Sequence, residues 1–321
     1  MTGVQTCALP IYKGDIKTIT NYLSDTHNIY VKQGMKFIVD VDTANPKMYG
    51  VTVYNYYRAP VQYIFIFLFF IALWLIGGKK GLRSVVGILI SFILIFYMFL
   101  PMVYRGYSPI FASVLMVIIS SFVTLYLLNG WGAKTVSAIL GTILGVIIAG
   151  SIAILICNLS HLSGFNTADV ESLSMISTQS NMQIQWLLLA GILISSLGAV
   201  MDISMSIASS VQEIYSLTPS LSEKQLFISG MNVGRDMMGT MANTLILAFA
   251  GTSLNMFIII YSYNLTSNQL FNMDMVNLVV LEGLTGSFAV ILTVPIIAYI
   301  SSLLIPDWAK NKKNKDIAVK S

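Results

Sequence analysis

From residue 61 to residue 305 the chain is a train of apolar runs, near 61–76, 84–104, 110–128, 135–158, 186–207, 237–261 and 278–305, parted by polar stretches. Each run approaches the roughly 20 residues that a helix needs to cross a ~30 Å hydrocarbon core. The pattern predicts seven transmembrane helices. The turns at 77–83 and 129–134 are short and carry Gly and Lys. Each reads as the tip of an antiparallel helix pair, and their likeness is compatible with an internal duplication. Ahead of the runs, 12–60 has another period. Ile16-Lys-Thr-Ile-Thr, Asn28-Ile-Tyr-Val, Met35-Lys-Phe-Ile-Val-Asp-Val-Asp and Tyr49-Gly-Val-Thr-Val-Tyr alternate β-branched or aromatic residues with polar ones, with Gly34 and Asn45-Pro46 between them. That is the pattern of strands in a small sheet, with Lys32-Gln-Gly-Met as a tight turn. The expected fold class is an all-α polytopic membrane bundle of about seven transmembrane helices with a small N-terminal β-rich extracytoplasmic segment.

Composition agrees and excludes a water-soluble domain. Of 321 residues 56 % are hydrophobic and 10 % charged, with mean hydropathy +0.77, whereas soluble chains carry roughly 25 % charged residues. The net charge of +4 is small and sits beside helix ends, where it orients a membrane protein rather than binding nucleic acid. One set of ends holds most of the Lys and Arg, among them Lys79, Lys80, Arg83, Lys134, Arg235 and the lysines of the tail at 306–321; the opposite loops hold Arg105 alone. The basic ends are therefore expected in the cytoplasm, with the C-terminus inside and 12–60 outside. An odd helix count with that orientation starts outside, so a further upstream helix is expected to bring the chain out. Residues 1–11 read as the in-frame translation of a sequencing adapter and are set aside from the membrane domain at 61–305.

Little of the side-chain chemistry is catalytic. Cys7 and Cys157 are far apart, and His27 and His161 are isolated, so neither a disulfide framework nor a metal site is expected. Asn158-Leu-Ser and Asn264-Leu-Thr match the glycosylation sequon, a short pattern that carries little weight by itself. There is no HExxH, no Ser/His/Asp set and no phosphate-cradling glycine loop. The reading is not an enzyme and names no cofactor.

The exception to the apolar pattern lies between Val200 and Asn243. On the fifth run and its extension Ser195, Asp202, Ser206, Ser209 and Glu213 recur at offsets that place them on one helical stripe. Asp202 falls about 24 Å below Trp186, in the inner half of the bilayer. Such groups mark a substrate path, a proton relay or a structural lock. Arg235, at the start of the sixth run, is poorly placed for the helix dipole. It therefore calls for a carboxylate partner, Asp202 or Glu213, or an anionic ligand. Asp236, Thr240, Asn243 and Thr244 continue a polar face, and 250–253 is expected to loosen or break the helix. Between these runs, Ser220 and Glu223 read as a capping box opening a short helix that Gly230 ends, with the sixth span beginning near Gly234. Glu282 and Thr285 form a patch on the seventh run, toward the outer side, with Pro295 a kink further in. Hydrogen-bonded glue between helices is the bland alternative for the whole seam.

The same residues carry a family likeness. Leu197-Gly-Ala-Val-Met-Asp202-Ile-Ser-Met-Ser-Ile-Ala-Ser, Ser229-Gly-Met-Asn-Val-Gly-Arg235-Asp236, Thr240-Met-Ala-Asn243-Thr-Leu-Ile-Leu-Ala and Gly251-Thr-Ser-Leu254 resemble the core of the YibE/F family. The resemblance extends over about 49–305. It implies a bacterial multi-pass membrane protein, with an upstream helix and an exported domain in the longer members, and it supplies no substrate. The expected function is a permease or transporter with a polar pathway along the fifth and sixth helices. Asp202 would be a proton or cation site, Arg235 and Asp236 a cytoplasmic gate, and Asn243 a polar ligand. Its partners are then the lipid bilayer and a small molecule or ion. The alternative is a non-transporting scaffold that contacts an envelope protein through the β-rich segment.

Overall fold

Alternation near the N-terminus produces two β-hairpins in a computed structural model of the chain, which describes residues 3–10, 16–24, 28–42, 50–166, 170–263 and 265–318. The readings at His27, at 45–46 and at Asn264 lie outside the described residues. The chain divides into two units, Met1–Gly78 and Lys79–Ser321.

In the first unit, strand β1 (Gly3–Pro10) pairs antiparallel with β2 (Ile16–Leu23), and β3 (Phe37–Asp42) pairs antiparallel with β4 (Gly50–Tyr56) through a bulge between Ile38 and Val39. Residues 3–10, set aside on sequence, thus form a strand. Ile19, Ile29, Val51 and Val53 make a small buried core, with Val31, Phe37, Val39 and Tyr56 against it. The segment 28–31 is not a strand, yet its Ile29 is 8 % exposed. The turn before β3 forms as expected: Met35 N donates to Lys32 O at 3.1 Å, with Gly34 at φ 84°, a left-handed conformation that glycine adopts without strain.

The apolar runs become helices. They are α1 (Ala59–Tyr104), α2 (Pro109–Asn129), α3 (Ala133–Leu159), the short α4 (Val170–Gln179), α5 (Leu187–Leu217), α6 (Glu223–Thr252), α7 (Leu254–Ser262), α8 (Ser267–Phe271) and α9 (Asp274–Ala318). Five of them are long and apolar enough to cross a membrane, or six if the bent pair α6 and α7 counts as one span. The count of seven is not confirmed: the runs at 61–76 and 84–104 fall in the one stretch α1, where two helices meet across a kink at Gly78, and the run at 237–261 falls in the bent pair. Residues 79–83, taken as a polar turn, are helical, and within the run only Gly78 leaves helical geometry, at φ 53° and ψ −133°. Further along, 95–99 widens to a π-helical turn.

In the second unit α9 is the hub, packing against α6, α3 and α5. Val146, Val200, Ile203, Ile207, Val211, Leu226, Val290 and Ile297 are fully buried where these helices meet. Lipid tails are as apolar as leucine, so close contact rather than a hydrophobic driving force holds such helices together. Glycines supply that contact. A Cβ on Gly145 would overlap Thr293 Oγ1 and one on Gly234 would overlap Val294, while on Gly230 it would lie 3.0 Å from Val211 Cγ2 and 3.1 Å from Ala298 Cβ. These contacts set the register: α6 runs antiparallel to α9 and to α5. The loop after α3 is tied down where Asn166 Nδ2 donates to Asp274 Oδ2 at 2.7 Å, at the start of α9.

Candidate functional site

The polar residues of α5 and α6 are the candidate site, and it begins with the cap that starts α6. Ser222, not Ser220, is the N-cap. Its Oγ accepts from Gln225 N at 3.4 Å, and Gln225 Oε1 accepts from Ser222 N at 2.9 Å, so the capping box stands two residues later than the sequence reading put it. The physical reason is the hydrophobic staple. With Ser222 as cap, the preceding residue is Leu221 and the fourth helical residue is Leu226. Leu226 is fully buried, and Leu221 packs on the same core. Ser220 as cap would put Pro219 and Lys224 in those places. Glu223 becomes the first helical residue, where its charge suits the dipole.

Gly230 and Gly234 are not ends either. The helix runs unbroken through both, and each is a buried contact point against α5 and α9. The expected break downstream is present: α6 ends at Thr252, α7 begins at Leu254, and the pair is bent by 62°. Pro295 and Pro306 stand inside α9.

The stripe on α5 faces outward. Ser195, Asp202 and Glu213 are exposed, while Ser206 and Ser209 are half-buried. The polar face of α6 is outward as well, with Arg235, Asp236, Thr240, Asn243 and Thr244 all exposed. Thr240 Oγ1 and Thr244 Oγ1 donate to the carbonyls of Met237 and Thr240, each at 2.8 Å. Among the described residues no hydrogen bond or ion pair engages the side chains of Asp202, Arg235, Asp236 or Asn243. The pairing of Arg235 with Asp202 or Glu213 is therefore not made within this chain. Register explains the first: Gly234 packs on Ile207, so Arg235 lies level with Ser206, about 6 Å along the axis from Asp202. Glu282 is half-buried on α9, one residue from Gly283, which lies against Ile246 of α6.

Depth follows from the same contacts. Ser287 Oγ donates to Ala242 O at 3.3 Å, and Ser287 is about 20 Å along α9 from Asp274. With hydrocarbon entered at the start of α9, Asn243 would fall inside the layer. Val294, beside Gly234, is about 30 Å along, so on the same basis Arg235 and Asp236 would fall at the far edge. An amide left without a partner in such a medium costs about 2–7 kcal/mol.

Sequence reasoning missed a second polar set, wholly inside. Thr135, Ser137 and Thr142 of α3, Ser204 of α5 and Ser301 of α9 are buried with hydroxyls that meet no partner. The signal was available in the recurrence of Gly, Ser and Thr at 135–145, a composition that lets membrane helices approach closely.

A bundle of long apolar helices around a central partner, with a broken helix that is polar along one side, defines a multi-span integral membrane protein. The chain belongs to the YibE/F-like protein family, whose model matches residues 65–307. No curated protein and no solved structure matches it at a significant level.

Proposed function

We propose that this protein is a permease or transporter of a bacterial plasma membrane, with its basic helix ends in the cytoplasm and its pathway along the polar face of α5 and α6. The observation that carries the reading is the break at 252–254 in a helix whose outer side is polar from Gln225 to Thr244. Broken membrane helices present loose backbone groups to substrates and ions, which a merely structural span has no use for. Asp202 is the proton or cation site, Arg235 and Asp236 form the gate at the membrane edge, Asn243 and Thr244 line the pathway with Ser206, and Glu282 serves its other end. The protein is not an enzyme and takes no cofactor.

The test uses the full chain in proteoliposomes loaded with a pH-sensitive dye, driven by a valinomycin potential, with sodium and potassium as further probes. The wild type is expected to pass one of these ions well above empty vesicles, and Asp202→Asn to slow it at least tenfold. Equal flux through both proteins excludes Asp202 from the pathway; no ion flux through the wild type overturns the transport reading.

One observation favours a scaffold role instead. Tyr22, Tyr30, Tyr54 and Tyr57 of the first unit are exposed by 45 % or more, and tyrosine is enriched at protein interfaces. Removal of residues 12–49 would then abolish capture of an envelope protein while leaving the bundle intact; capture unchanged by the deletion refutes it.

A further inference from the structure

We infer that a second copy of this chain covers the outward face of α6, so that two α6 helices pack side by side about a two-fold axis along the membrane normal and the α6 part of the polar pathway lies at their interface. The seam is Gln225, Ser229, Asn232, Asp236, Gly239 and Asn243. These residues follow one another at steps of four and three, and the same steps reach Ile246 and Ala250. That is the spacing by which one helix presents a continuous edge to another in a left-handed pair. Five of the six are exposed and Ser229 is half-buried, because α6 uses its opposite side, Leu226, Gly230 and Gly234, to pack on α5 and α9. A Cβ on Gly239 would meet nothing within 4 Å, which leaves room for a partner backbone to approach closely.

Of the seam's polar groups, the Asn243 amide lies deepest and cannot face lipid tails without being left unbonded, while Asp236 stands at the edge and Asn232 and Gln225 beyond it. The chemistry of the seam identifies the partner. Rotation about the membrane normal keeps every residue at its own depth, so each level of the seam meets the same level of the other copy. Asn and Gln amides carry both donors and acceptors and therefore complement themselves. Arg235 flanks the seam beside Asp236, so each copy offers one cation and one anion at a single level, and the two can pair reciprocally across the axis. Neither charge has a partner within the chain among the described residues. The inference rests on the transport reading for the pathway alone; the interface stands on the seam.

The experiment uses the full chain with Cys7→Ser and Cys157→Ala. Single cysteines are placed at Asn232 and Gly239, with Leu140→Cys and Ile291→Cys as controls at other exposed positions, 41 % and 39 % exposed. Oxidation in native membranes is expected to convert the seam variants to disulfide-linked dimers at least tenfold faster than the controls, since the bond needs Cβ atoms about 4 Å apart. Arg235→Asp and Asp236→Arg should each weaken the dimer at least tenfold, measured by single-molecule photobleaching in bilayers, and the double exchange should restore it. Seam cysteines that react no faster than the controls, or a double exchange no better than either single, overturn the interface, as would a transporting monomer. A dimer that forms as expected but conducts no ion supports the interface and removes the transport reading instead.

Discussion

Gly145→Ala should destabilise the bundle although alanine is the better helix former. The added Cβ would overlap Thr293 Oγ1 and come within 3.1 Å of Thr293 Cβ and 3.2 Å of Val200 Cγ1. Neither neighbour has anywhere to go. Both are 0 % exposed, and the Thr293 hydroxyl is held by its bond to Ala289 O at 2.6 Å. Replacing glycine inside a helix gains about 1 kcal/mol, whereas overpacking a closed core costs about 1–3 kcal/mol. Overlap with a fixed oxygen puts the cost at the upper end, leaving a net loss of about 1–2 kcal/mol, or roughly tenfold in the unfolding constant. Unfolding in SDS–detergent mixtures, followed by tryptophan fluorescence, reads the change. Gly191→Ala is the control, because nothing lies within 4 Å of its added carbon, and it should gain up to about 1 kcal/mol. Thr293→Ala removes the overlapping oxygen but keeps the Cβ at 3.1 Å and Val200 at 3.2 Å, so Gly145→Ala should cost clearly less in the Thr293→Ala background than in the parent. A Gly145→Ala protein as stable as its parent, or a strictly additive double variant, refutes the close packing of α3 on α9.

Two further substitutions probe local structure. Ser222→Ala should cost about 1 kcal/mol in the same assay through loss of the capping box, while Ser220→Ala, exposed and ahead of the cap, should stay within about 0.5 kcal/mol; equal effects would return the cap to Ser220. Asn166→Asp should set a carboxylate against Asp274 and release the loop, read as faster proteolysis within 170–179 in the intact protein, and unchanged cleavage would show that this bond does not anchor it.

The apolar runs and the alternation before them were legible because each records a simple period: helices long enough to cross hydrocarbon, and strands with one covered face. The break near 252 was legible too, since Gly251, Thr252 and Ser253 are poor helix residues in succession. The start of α6 was not. Ser220 and Ser222 both head an S-x-x-E/Q pattern, and only the burial of Leu221 with Leu226 decides between them. Gly230 and Gly234 read as helix ends for a related reason: glycine terminates helices and also lets them touch, and a single sequence does not record which neighbour is near. The division of α1 turned on Gly78, whose positive φ is a local backbone event inside a stretch that otherwise stays helical.

The direction of the polar stripes was the hardest part to read, and the reason is specific to membranes. Periodicity fixes which residues share a face but not what that face meets. In water the apolar side turns inward by default, so the phase alone would decide. In lipid it does not, because an apolar side loses nothing by facing tails, and contact between helices goes to the side that packs most closely. On α6 that side bears Gly230 and Gly234, whose backbones fit against Val211, Ala298, Ile207 and Val294. With the glycine side spent on α5 and α9, Asp236 and Asn243 are turned away from the bundle, Asp236 at the membrane edge and Asn243 at a depth where water is scarce. Their position is a consequence of tight packing elsewhere on the same helix, and it marks the edge on which the proposed second copy would sit.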